Sequence, residues 1–354
     1  MKRSLLQKLT IIIISYNRHN LLIRAIKYWS NFDVKVVVID GSNVALKSSN
    51  LNYKNIRYIH DPRSFNTRLL NSFKYIETEF MILGSDDDFY LPSALSSCVK
   101  FLSKENDYSS CGGRAIGFHA TKSKKIFGKL YYPKLKNLSL DHHSASCRVK
   151  KHFSNYVPAH VYSVIRSDVW KIISKYIFSE EIKFLSEEEL QLEFLTLVAG
   201  KSKIIPELVW LRNLGEPSVR GKINYNILPT IYGWWFDKTK SKEKENFLKK
   251  LNKASIELLG NSRELTMKEI SLLFKIKMKN KPYFEKLALK YNIILNLSDL
   301  RYRLIRIVKD FILPKKRQMP NDLNYSLKLL ESENVKINYR EIDKIISTIK
   351  MRKV

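Results

Sequence analysis

Three consecutive aspartates, Asp86, Asp87 and Asp88, follow the apolar residues 80–83 after Gly84 and Ser85 in this 354-residue chain. Like charges at the end of a buried segment repel one another unless a positive group is held among them. If the segment is extended, Asp86 and Asp88 point to the same side, because side chains alternate along a strand. The three acids therefore indicate a ligand site, and a solvated acidic turn is the alternative.

Two further polar clusters follow apolar runs that are typical of buried strands. The run TIIII at residues 10–14 precedes Ser15, Tyr16, Asn17 and Arg18. The run VKVVVID at residues 34–40 ends in Asp40, before Gly41 and Ser42. The three clusters can form one site only if the strands before them lie side by side.

The pattern of the first 85 residues predicts that arrangement. Strands are expected at residues 10–14, 34–40, 55–60 and 80–83, and helices at residues 21–29 and 64–76, the first of them capped by Asn20. Strands that alternate with helices pair in parallel, and ligands bind beyond their carboxyl ends. No G-x-G-x-x-G follows the first strand and no G-x-x-x-x-G-K-[ST] occurs, so dinucleotide and P-loop binding are unsupported.

The net charge of +29 favours polyanionic partners such as nucleotide phosphates, nucleic acid or an anionic membrane. Residues 237–354 hold 29 Lys and Arg against 14 Asp and Glu, so about half of the net charge lies in the last third. A general bias toward Lys, Asn and Ile explains part of this excess. The three cysteines show no paired spacing, which predicts a reducing, cytoplasmic location. No apolar run approaches the roughly 20 residues that cross a bilayer, so no membrane span is expected.

The three clusters resemble the motifs of family 2 nucleotide-sugar glycosyltransferases with the GT-A fold. TIIIISYNR resembles the opening strand and nucleoside loop of that family, VVVIDGS its second strand, and SDDDFYLP its DxD metal motif. The resemblance covers roughly residues 10–213 and departs from the commonest pattern in having DDD. It implies an α/β fold, GT-A-like (Rossmann-like), with a mixed, mostly parallel sheet flanked by helices. It also implies Mn²⁺ or Mg²⁺ as the cofactor.

The resemblance implies that all three clusters contact the sugar nucleotide. A divalent cation would bridge its diphosphate to Asp86 and Asp88, with Asp87 as the less favoured metal ligand. Asp40 would accept a hydrogen bond from the uracil imide or bind ribose, and its alternative role is a turn cap. The other nucleotide-binding candidates are Ser15, Tyr16, Asn17, Arg18 and Arg68. Loop packing is the alternative for Tyr16, and a surface ion pair is the alternative for Arg68.

Inverting sugar transfer needs a carboxylate that deprotonates the acceptor hydroxyl. The segment SEEELQLEFLTLVAG at residues 186–200 resembles the family's ED motif at the start of a helix, and counting back from its glycine aligns Glu188 and Glu189 with that pair. Acids in a first helical turn are also favoured by the helix dipole. Because Ser186 and Glu189 form the S-x-x-E pattern of a capping box, Glu188 is the preferred base.

Four later residues are candidates for acceptor binding: His160, Trp234, Trp235 and Arg212. His160 lies in a stretch that is near the acceptor in the enzymes this chain resembles, and a core histidine is the alternative. The two tryptophans belong to the sequence YGWWF, which suits either sugar stacking or the core of a domain junction. Arg212 either closes on the diphosphate or is an ordinary surface arginine.

Residues 1–236 are predicted to form the GT-A-like catalytic domain, and residues 237–354 a mainly helical, basic region. Lysine-rich segments with helical spacing occur at residues 245–260 and 301–313, and a linker at residues 314–320 precedes a final helical segment from about Asn324. Such helices either pack their apolar side on the catalytic domain or lie on an anionic membrane surface.

The expected function is metal-dependent transfer of a sugar from a UDP-sugar to a carbohydrate or lipid-linked oligosaccharide acceptor, in surface polysaccharide or lipooligosaccharide synthesis. By analogy with the family, the reaction is inverting and the protein lies at the cytoplasmic face of a membrane. Two other classes stay open. A nucleic-acid-binding protein would bind in a salt-sensitive way without needing the aspartates, although no nucleic acid partner is expected. A metal-dependent nucleotidyltransferase would release pyrophosphate instead of a nucleoside diphosphate.

Overall fold

The structure is a computed structural model that describes residues 4–47, 51–121, 123–184, 186–215, 231–260, 265–279 and 321–350. The segments 301–313 and 314–320 named above lie outside the described residues. The strands, numbered along the described residues, are β1 (Leu9–Ser15), β2 (Lys35–Asp40), β3 (Ile56–His60), β4 (Phe80–Ser85), β5 (Phe89–Tyr90), β6 (Tyr108–Ala120), β7 (Ile126–Tyr131), β8 (Val164–Arg166), β9 (Lys201–Asn213) and β10 (Asn321–Asp322). The helices are α1 (His19–Trp29), α2 (Phe65–Ser72), α3 (Pro92–Leu102), α4 (Ala145–Ser154), α5 (Ser167–Ile177), α6 (Glu187–Ala199), α7 (Ile231–Phe236), α8 (Ser241–Leu259), α9 (Met267–Lys279), α10 (Leu323–Ser332) and α11 (Tyr339–Lys350).

The strands form one mixed sheet in the order β10-β7-β6-β8-β4-β1-β2-β3, with β9 paired to β5 and β6. Strands β3, β2, β1 and β4 pair in parallel, and β8, β6 and β7 extend the sheet in antiparallel fashion. The register places Ser15 beside Asp40, and Ile14 beside Ser85. The predicted α/β class is confirmed, and the polar clusters after β1, β2 and β4 lie at one edge of the sheet.

The predicted elements of the first 85 residues are present with changes at their ends. Helix α1 begins at His19 with Arg18 as its N-cap and without a side-chain cap, so the expected cap by Asn20 is wrong. Asn20 already lies inside the first helical turn. Helix α2 ends at Ser72 and is followed by a 3₁₀ turn over Phe73–Tyr75, which together match the predicted segment 64–76.

Strand β1 is buried along its whole length because both faces of the sheet are covered. Its alternating residues face two different cores. Ile11 and Ile13 belong to one buried cluster, and Ile12 and Ile14 belong to the other. Burying one such side chain fully stabilises the fold by about 1.5–3 kcal/mol. This burial fixes the register that brings the polar clusters together.

Residues beyond position 236 contribute to both cores. Leu327 and Ile345 from α10 and α11 lie in the first cluster, and Phe247 and Phe274 from α8 and α9 lie in the second. Strand β10 also pairs with β7. The boundary between residues 236 and 237 stays a prediction, while the described parts on its two sides share their cores. None of the helices in the described ranges combines the length and the apolarity that crossing a bilayer requires.

Candidate active site

Arg18 holds two of the three aspartates at the sheet edge. Its Nη1 lies 3.4 Å from Asp86 Oδ1, and its Nη2 lies 2.5 Å from Asp87 Oδ2. Ser15 Oγ donates to Asp86 Oδ2 over 2.8 Å. Burial raises the pKa of Asp86 to about 7, although the charge of Arg18 opposes the rise. Part of the positive charge that three adjacent acids require is therefore supplied by the protein itself.

Asp88 faces β9 instead of Arg18. Trp210 Nε1 donates to Asp88 Oδ2 over 3.1 Å, and Asn213 N donates to Oδ1 over 2.7 Å. Burial, followed by the charge of Asp87, raises the pKa of Asp88 to about 7. The expectation that Asp86 and Asp88 share one side required an extended chain, and it is wrong because the chain bends at residues 86 and 87. The two carboxylates contact different elements.

These residues fit a divalent cation that takes one or two ligands from the protein. Asp86 Oδ1 is buried and accepts no hydrogen bond, and each oxygen of Asp88 keeps a lone pair beyond the bond it accepts. The three aspartates do not form a cage of three ligands. Within the described ranges, the one such group with its ligand atoms within 4.8 Å of one another is that of His152, His160 and Glu193. A cation at the sheet edge would take its other ligands from phosphate and water, as Mg²⁺ commonly does.

Asp40 is fully buried, and protein donors occupy both of its oxygens. Ser42 donates to Oδ1 from its backbone N over 2.9 Å and from Oγ over 2.5 Å. Tyr58 Oη donates to Oδ2 over 2.8 Å, and His19 Nε2 lies 3.1 Å from the same oxygen. The turn-cap alternative for Asp40 is thus present. A contact from Asp40 to a base or a ribose would require one of these donors to move.

The loop after β1 is tied to the turn after β2. Asn17 has a left-handed backbone with φ of 51°, and its N donates to Ser42 Oγ over 2.8 Å. Its Oδ1 accepts a hydrogen bond from Asn43 N over 3.1 Å. Asn17 is exposed and Tyr16 is half-buried, whereas Ser15 is buried. A ligand can therefore reach Tyr16 and Asn17, whereas Ser15 is not accessible.

Arg68 lies beneath the edge of the sheet, where it is only 2% exposed. Its Nη1 donates to Ser15 O over 2.5 Å, and a Cβ on Gly41 would lie 2.3 Å from its Cζ. Burial lowers the pKa of Arg68, and the charge of Asp40 opposes this. In this arrangement Arg68 cannot reach a diphosphate, contrary to expectation. It supports the loop after β1 from the inside.

The three glutamates that open α6 differ in exposure. Ser186 has a left-handed backbone with φ of 59° and makes no side-chain cap, so the expected capping box is wrong. This removes the reason for preferring Glu188 as the base. Glu187 and Glu188 are buried at 2% and 5% exposure, whereas Glu189 is half-buried.

Glu189 and Asp88 both act electrostatically on Tyr162. Burial raises the pKa of Tyr162 to about 12; Arg212 opposes the rise, and the charges of Asp88 and Glu189 contribute to it. The ring of Tyr162 stacks on Trp210 with the two centroids 3.8 Å apart. One aromatic pair is therefore in contact with Asp88 and within electrostatic reach of Glu189.

Arg212 also belongs to this aromatic cluster. Its guanidinium carbon lies between 5.0 and 5.4 Å from the ring centroids of Tyr131, Tyr162 and Trp210. Its Nη1 donates to Tyr132 Oη over 3.1 Å. Trp210 and Arg212 are two positions apart on β9 and so share one face of the strand. This spacing is the sequence signal that could have indicated that the two side chains lie together. The aromatic residues around them could not be assigned from sequence.

The other acceptor candidates lie in the interior. His160 is fully buried, and its Nδ1 lies 2.5 Å from Glu193 Oε2. Trp234 and Trp235 are buried among phenylalanines, and Trp235 stacks on Phe274 at a centroid distance of 5.8 Å. These positions match the core alternatives. In this arrangement none of the three side chains can reach a sugar.

Sequence reasoning missed a buried polar cluster one helical turn behind Glu189. Glu193 Oε1 accepts from His160 N over 2.7 Å and from Val161 N over 3.1 Å. Its Oε2 lies 2.8 Å from His152 Nε2 and 2.5 Å from His160 Nδ1. Burial acts to raise the pKa of Glu193, but the two histidines lower it to about 2. Glu193 is therefore hydrogen-bonded to His160 and to the backbone at Val161, and it pairs with His152 as well. No sequence spacing predicts this cluster.

Comparison with known proteins bears on the family and the fold. Residues 10–153 match the family model described as Glycosyl transferase family 2. The fold resembles that of S. aureus TarS 1-349 in complex with UDP-GlcNAc, with a TM-score of 0.53 and 12% identity over 97% of this chain and 90% of that one. A longer S. aureus TarS structure aligns with a TM-score of 0.49 and 12% identity over 97% of this chain and 55% of that one. No curated protein matches the sequence. The family resemblance and the fold class predicted from the sequence are confirmed.

Proposed function

We propose that this glycosyltransferase, whose residues 10–153 match family 2, uses a nucleotide-sugar donor, with UDP as the nucleotide, in a metal-dependent reaction. One observation carries the proposal. Asp88 accepts a hydrogen bond from Trp210, and the stacked Tyr162 lies in the field of both Asp88 and Glu189. These contacts support a site in which a carboxylate suited to a metal and a carboxylate suited to a base both act near the same aromatic pair.

On the donor side, Asp86 and Asp88 would hold Mn²⁺ or Mg²⁺. Such a cation supplies positive charge that stabilises the departing nucleoside diphosphate. Tyr16 and Asn17 are the reachable residues of the loop that would contact the nucleoside. Arg18 already pairs with Asp86 and Asp87, and its guanidinium would add a second positive charge near the phosphates.

On the acceptor side, Glu189 would act as the general base. Its carboxylate takes the proton of an acceptor hydroxyl as that oxygen bonds to the anomeric carbon and the bond to the nucleoside diphosphate breaks. Direct attack of this kind inverts the anomeric configuration. Glu188 is the second candidate, but its side chain is buried.

The proposed acceptor is a carbohydrate or a lipid-linked oligosaccharide in surface polysaccharide or lipooligosaccharide synthesis. Assembly at the cytoplasmic face of a membrane would suit the net charge of +29, because anionic lipids attract basic surfaces. The identity of the acceptor class rests on analogy with the family.

Thermal unfolding with UDP, with Mn²⁺ and with both together tests the donor site. A ligand at 100 times its Kd stabilises a protein by about 2.7 kcal/mol. The wild type should be stabilised most by the two ligands together, and Asp88→Asn should lose that effect. Asp107→Asn is the matched control, because Asp107 is exposed and pairs with Lys201 over 2.5 Å. UDP-sugars, beginning with UDP-GlcNAc, are then screened for release of UDP.

Two outcomes would favour the other classes of protein. Stabilisation by single-stranded nucleic acid, without stabilisation by UDP and Mn²⁺, would indicate a nucleic-acid-binding protein. Release of pyrophosphate from a nucleoside triphosphate and a sugar phosphate would indicate a nucleotidyltransferase.

A further inference from the structure

Tyr156 lies between the proposed base and helix α9. Its Oη donates a hydrogen bond to Glu189 Oε1 over 2.6 Å. Lys277 Nζ, from α9, lies 3.8 Å from the centroid of the Tyr156 ring. Both Tyr156 and Lys277 are half-buried. A side chain from beyond position 236 thus contacts the residue that binds Glu189.

The Tyr156 ring is held by its neighbours. Its centroid lies 5.3 Å from that of His152 and 6.3 Å from that of Phe153, both on α4. Phe153 packs in turn on Phe274 of α9, at 5.2 Å between centroids. Because the tyrosine hydroxyl is rigidly attached to the ring, holding the ring also fixes the position of Oη.

The hydroxyl of Tyr156 can only donate to Glu189 at neutral pH. Burial raises the pKa of Tyr156 well above its usual range, and the charges of Glu189 and Glu193 add to the rise. A hydrogen bond donated to a carboxylate favours its ionised form, and a nearby cation does the same. Tyr156 therefore favours the ionised Glu189 that a general base requires, and Lys277 adds a positive charge at the ring that carries this hydroxyl.

We propose that Tyr156, clamped by Lys277, is a positioning residue that orients Glu189 and keeps it ionised. The inference rests on the proposed function, because it takes Glu189 as the base. Tyr156 itself would touch no reacting atom. Helix α9 would thereby help to set the geometry of the reaction.

Loss of the Tyr156 hydroxyl should act on the chemical step and not on donor binding. Hydrogen bonds to charged groups are strong enough that losing one lowers a rate roughly 10-fold or more. The pKa of Glu189 should rise when the hydrogen bond from Tyr156 is removed, so the acid limb of the pH profile of kcat should move to higher pH.

The chain contains a matched control for both substitutions. Tyr176 Oη donates to Glu257 Oε2 over 2.8 Å, and Lys175 Nζ lies 5.1 Å from the centroid of the Tyr176 ring. A tyrosine, a lysine and a glutamate therefore meet at a second place in the chain. The glutamate there, Glu257, lies on α8, away from the proposed base at the start of α6. Tyr176→Phe and Lys175→Met remove the same atoms as Tyr156→Phe and Lys277→Met.

The test measures UDP release from the UDP-sugar that the wild type turns over fastest, between pH 5.5 and 9. Glu189→Gln should be inactive. Tyr156→Phe should lower kcat roughly 10-fold or more, leave the donor KM within about twofold and move the acid limb upward. Lys277→Met should change kcat and the acid limb in the same direction by a smaller amount. The two control variants should match the wild type.

The outcomes separate the two hypotheses. The positioning role alone is overturned if Glu189→Gln is inactive while Tyr156→Phe keeps the wild-type kcat and acid limb. If Tyr156→Phe does not fold, Lys277→Met is used for the same comparison. An active Glu189→Gln would remove Glu189 as the base and overturn both. If the wild type turns over no UDP-sugar, the proposed function fails. The effect of Tyr156 on Glu189 is then measured by ¹³C NMR titration of the Glu189 carboxyl, whose signal is assigned from its absence in Glu189→Gln. An unchanged pKa of Glu189 in Tyr156→Phe overturns the positioning role.

Discussion

The indole Nε1 of Trp210 donates a hydrogen bond to Asp88 Oδ2 over 3.1 Å. The same indole stacks on Tyr162, whose pKa responds to the charge of Glu189. A single aromatic pair therefore connects the proposed metal ligand to the proposed base. Substitutions of Trp210 should therefore change the affinity of the donor site.

Trp210→Phe should weaken binding of UDP with Mn²⁺ about 10-fold, because Asp88 loses a donor that holds its carboxylate. Phenylalanine keeps an aromatic ring against Tyr162, so the stack is retained. Calorimetric titration of UDP in the presence of Mn²⁺ measures the change in Kd. Trp234→Phe is the control, since Trp234 Nε1 donates to Glu243 over 3.0 Å in the second core. Equal Kd values for the two variants would show that the indole of Trp210 has no role in donor binding.

Asp88→Asn should become progressively more stable than the wild type as the pH rises, when no ligand is present. Burial raises the pKa of Asp88 from its usual 3.8 to about 7, so between these values the folded state binds more protons than the unfolded state. The stability that the protonated group contributes is full below the unfolded pKa and is lost as the pH rises through the folded pKa. Asparagine does not ionise and avoids this loss.

Thermal unfolding of both proteins at pH 5, 6, 7 and 8 measures this effect. The Tm of Asp88→Asn minus that of the wild type should increase from pH 5 to pH 7 and level off above pH 7, where the folded-state carboxyl is also ionised. A constant difference would mean that Asp88 is ionised throughout this range.

Gly41→Ala should destabilise the protein and weaken UDP binding together. The added Cβ would lie 2.3 Å from Arg68 Cζ, and Arg68 holds Ser15 O. Forcing an extra methyl group into a packed site typically costs about 1–3 kcal/mol. Gly260→Ala is the control: Gly260 has φ of 58° with nothing within 4 Å of an added Cβ, so its cost is backbone strain alone. Urea unfolding should show a lower free energy of unfolding for both variants. Only Gly41→Ala should also lose affinity for UDP.

Glu333→Ala should destabilise the whole fold by about 2–4 kcal/mol, because it leaves a buried arginine without its partner. Arg114 Nη2 lies 2.6 Å from Glu333 Oε2, and the two side chains are 4% and 21% exposed. Glu79→Ala breaks an exposed pair with Lys8 and should have little effect on unfolding by comparison. Urea unfolding followed by fluorescence measures both. An equal and small effect of the two substitutions would show that the link between α10 and β6 adds no stability.

The sequence alone determined the α/β class, the order of the first strands and helices, and the edge at which the polar clusters meet. These features depend on local periodicity: β-branched runs form buried strands, and helical spacing places crossovers between them. Once β1, β2 and β4 pair in parallel, the residues after them must share one edge. The acids at the start of α6 were found in a different way, from their resemblance to a family motif.

Only the tertiary structure decided which of these residues a ligand can reach. Asp88 and Trp210 are 122 positions apart, and His160 and Glu193 are 33 apart, so no local pattern records their contacts. Burial of Arg68 and His160 and the half-exposure of Glu189 follow from how distant elements pack. Side-chain partners and desolvation set the pKa and the availability of each group, and both are properties of the three-dimensional neighbourhood.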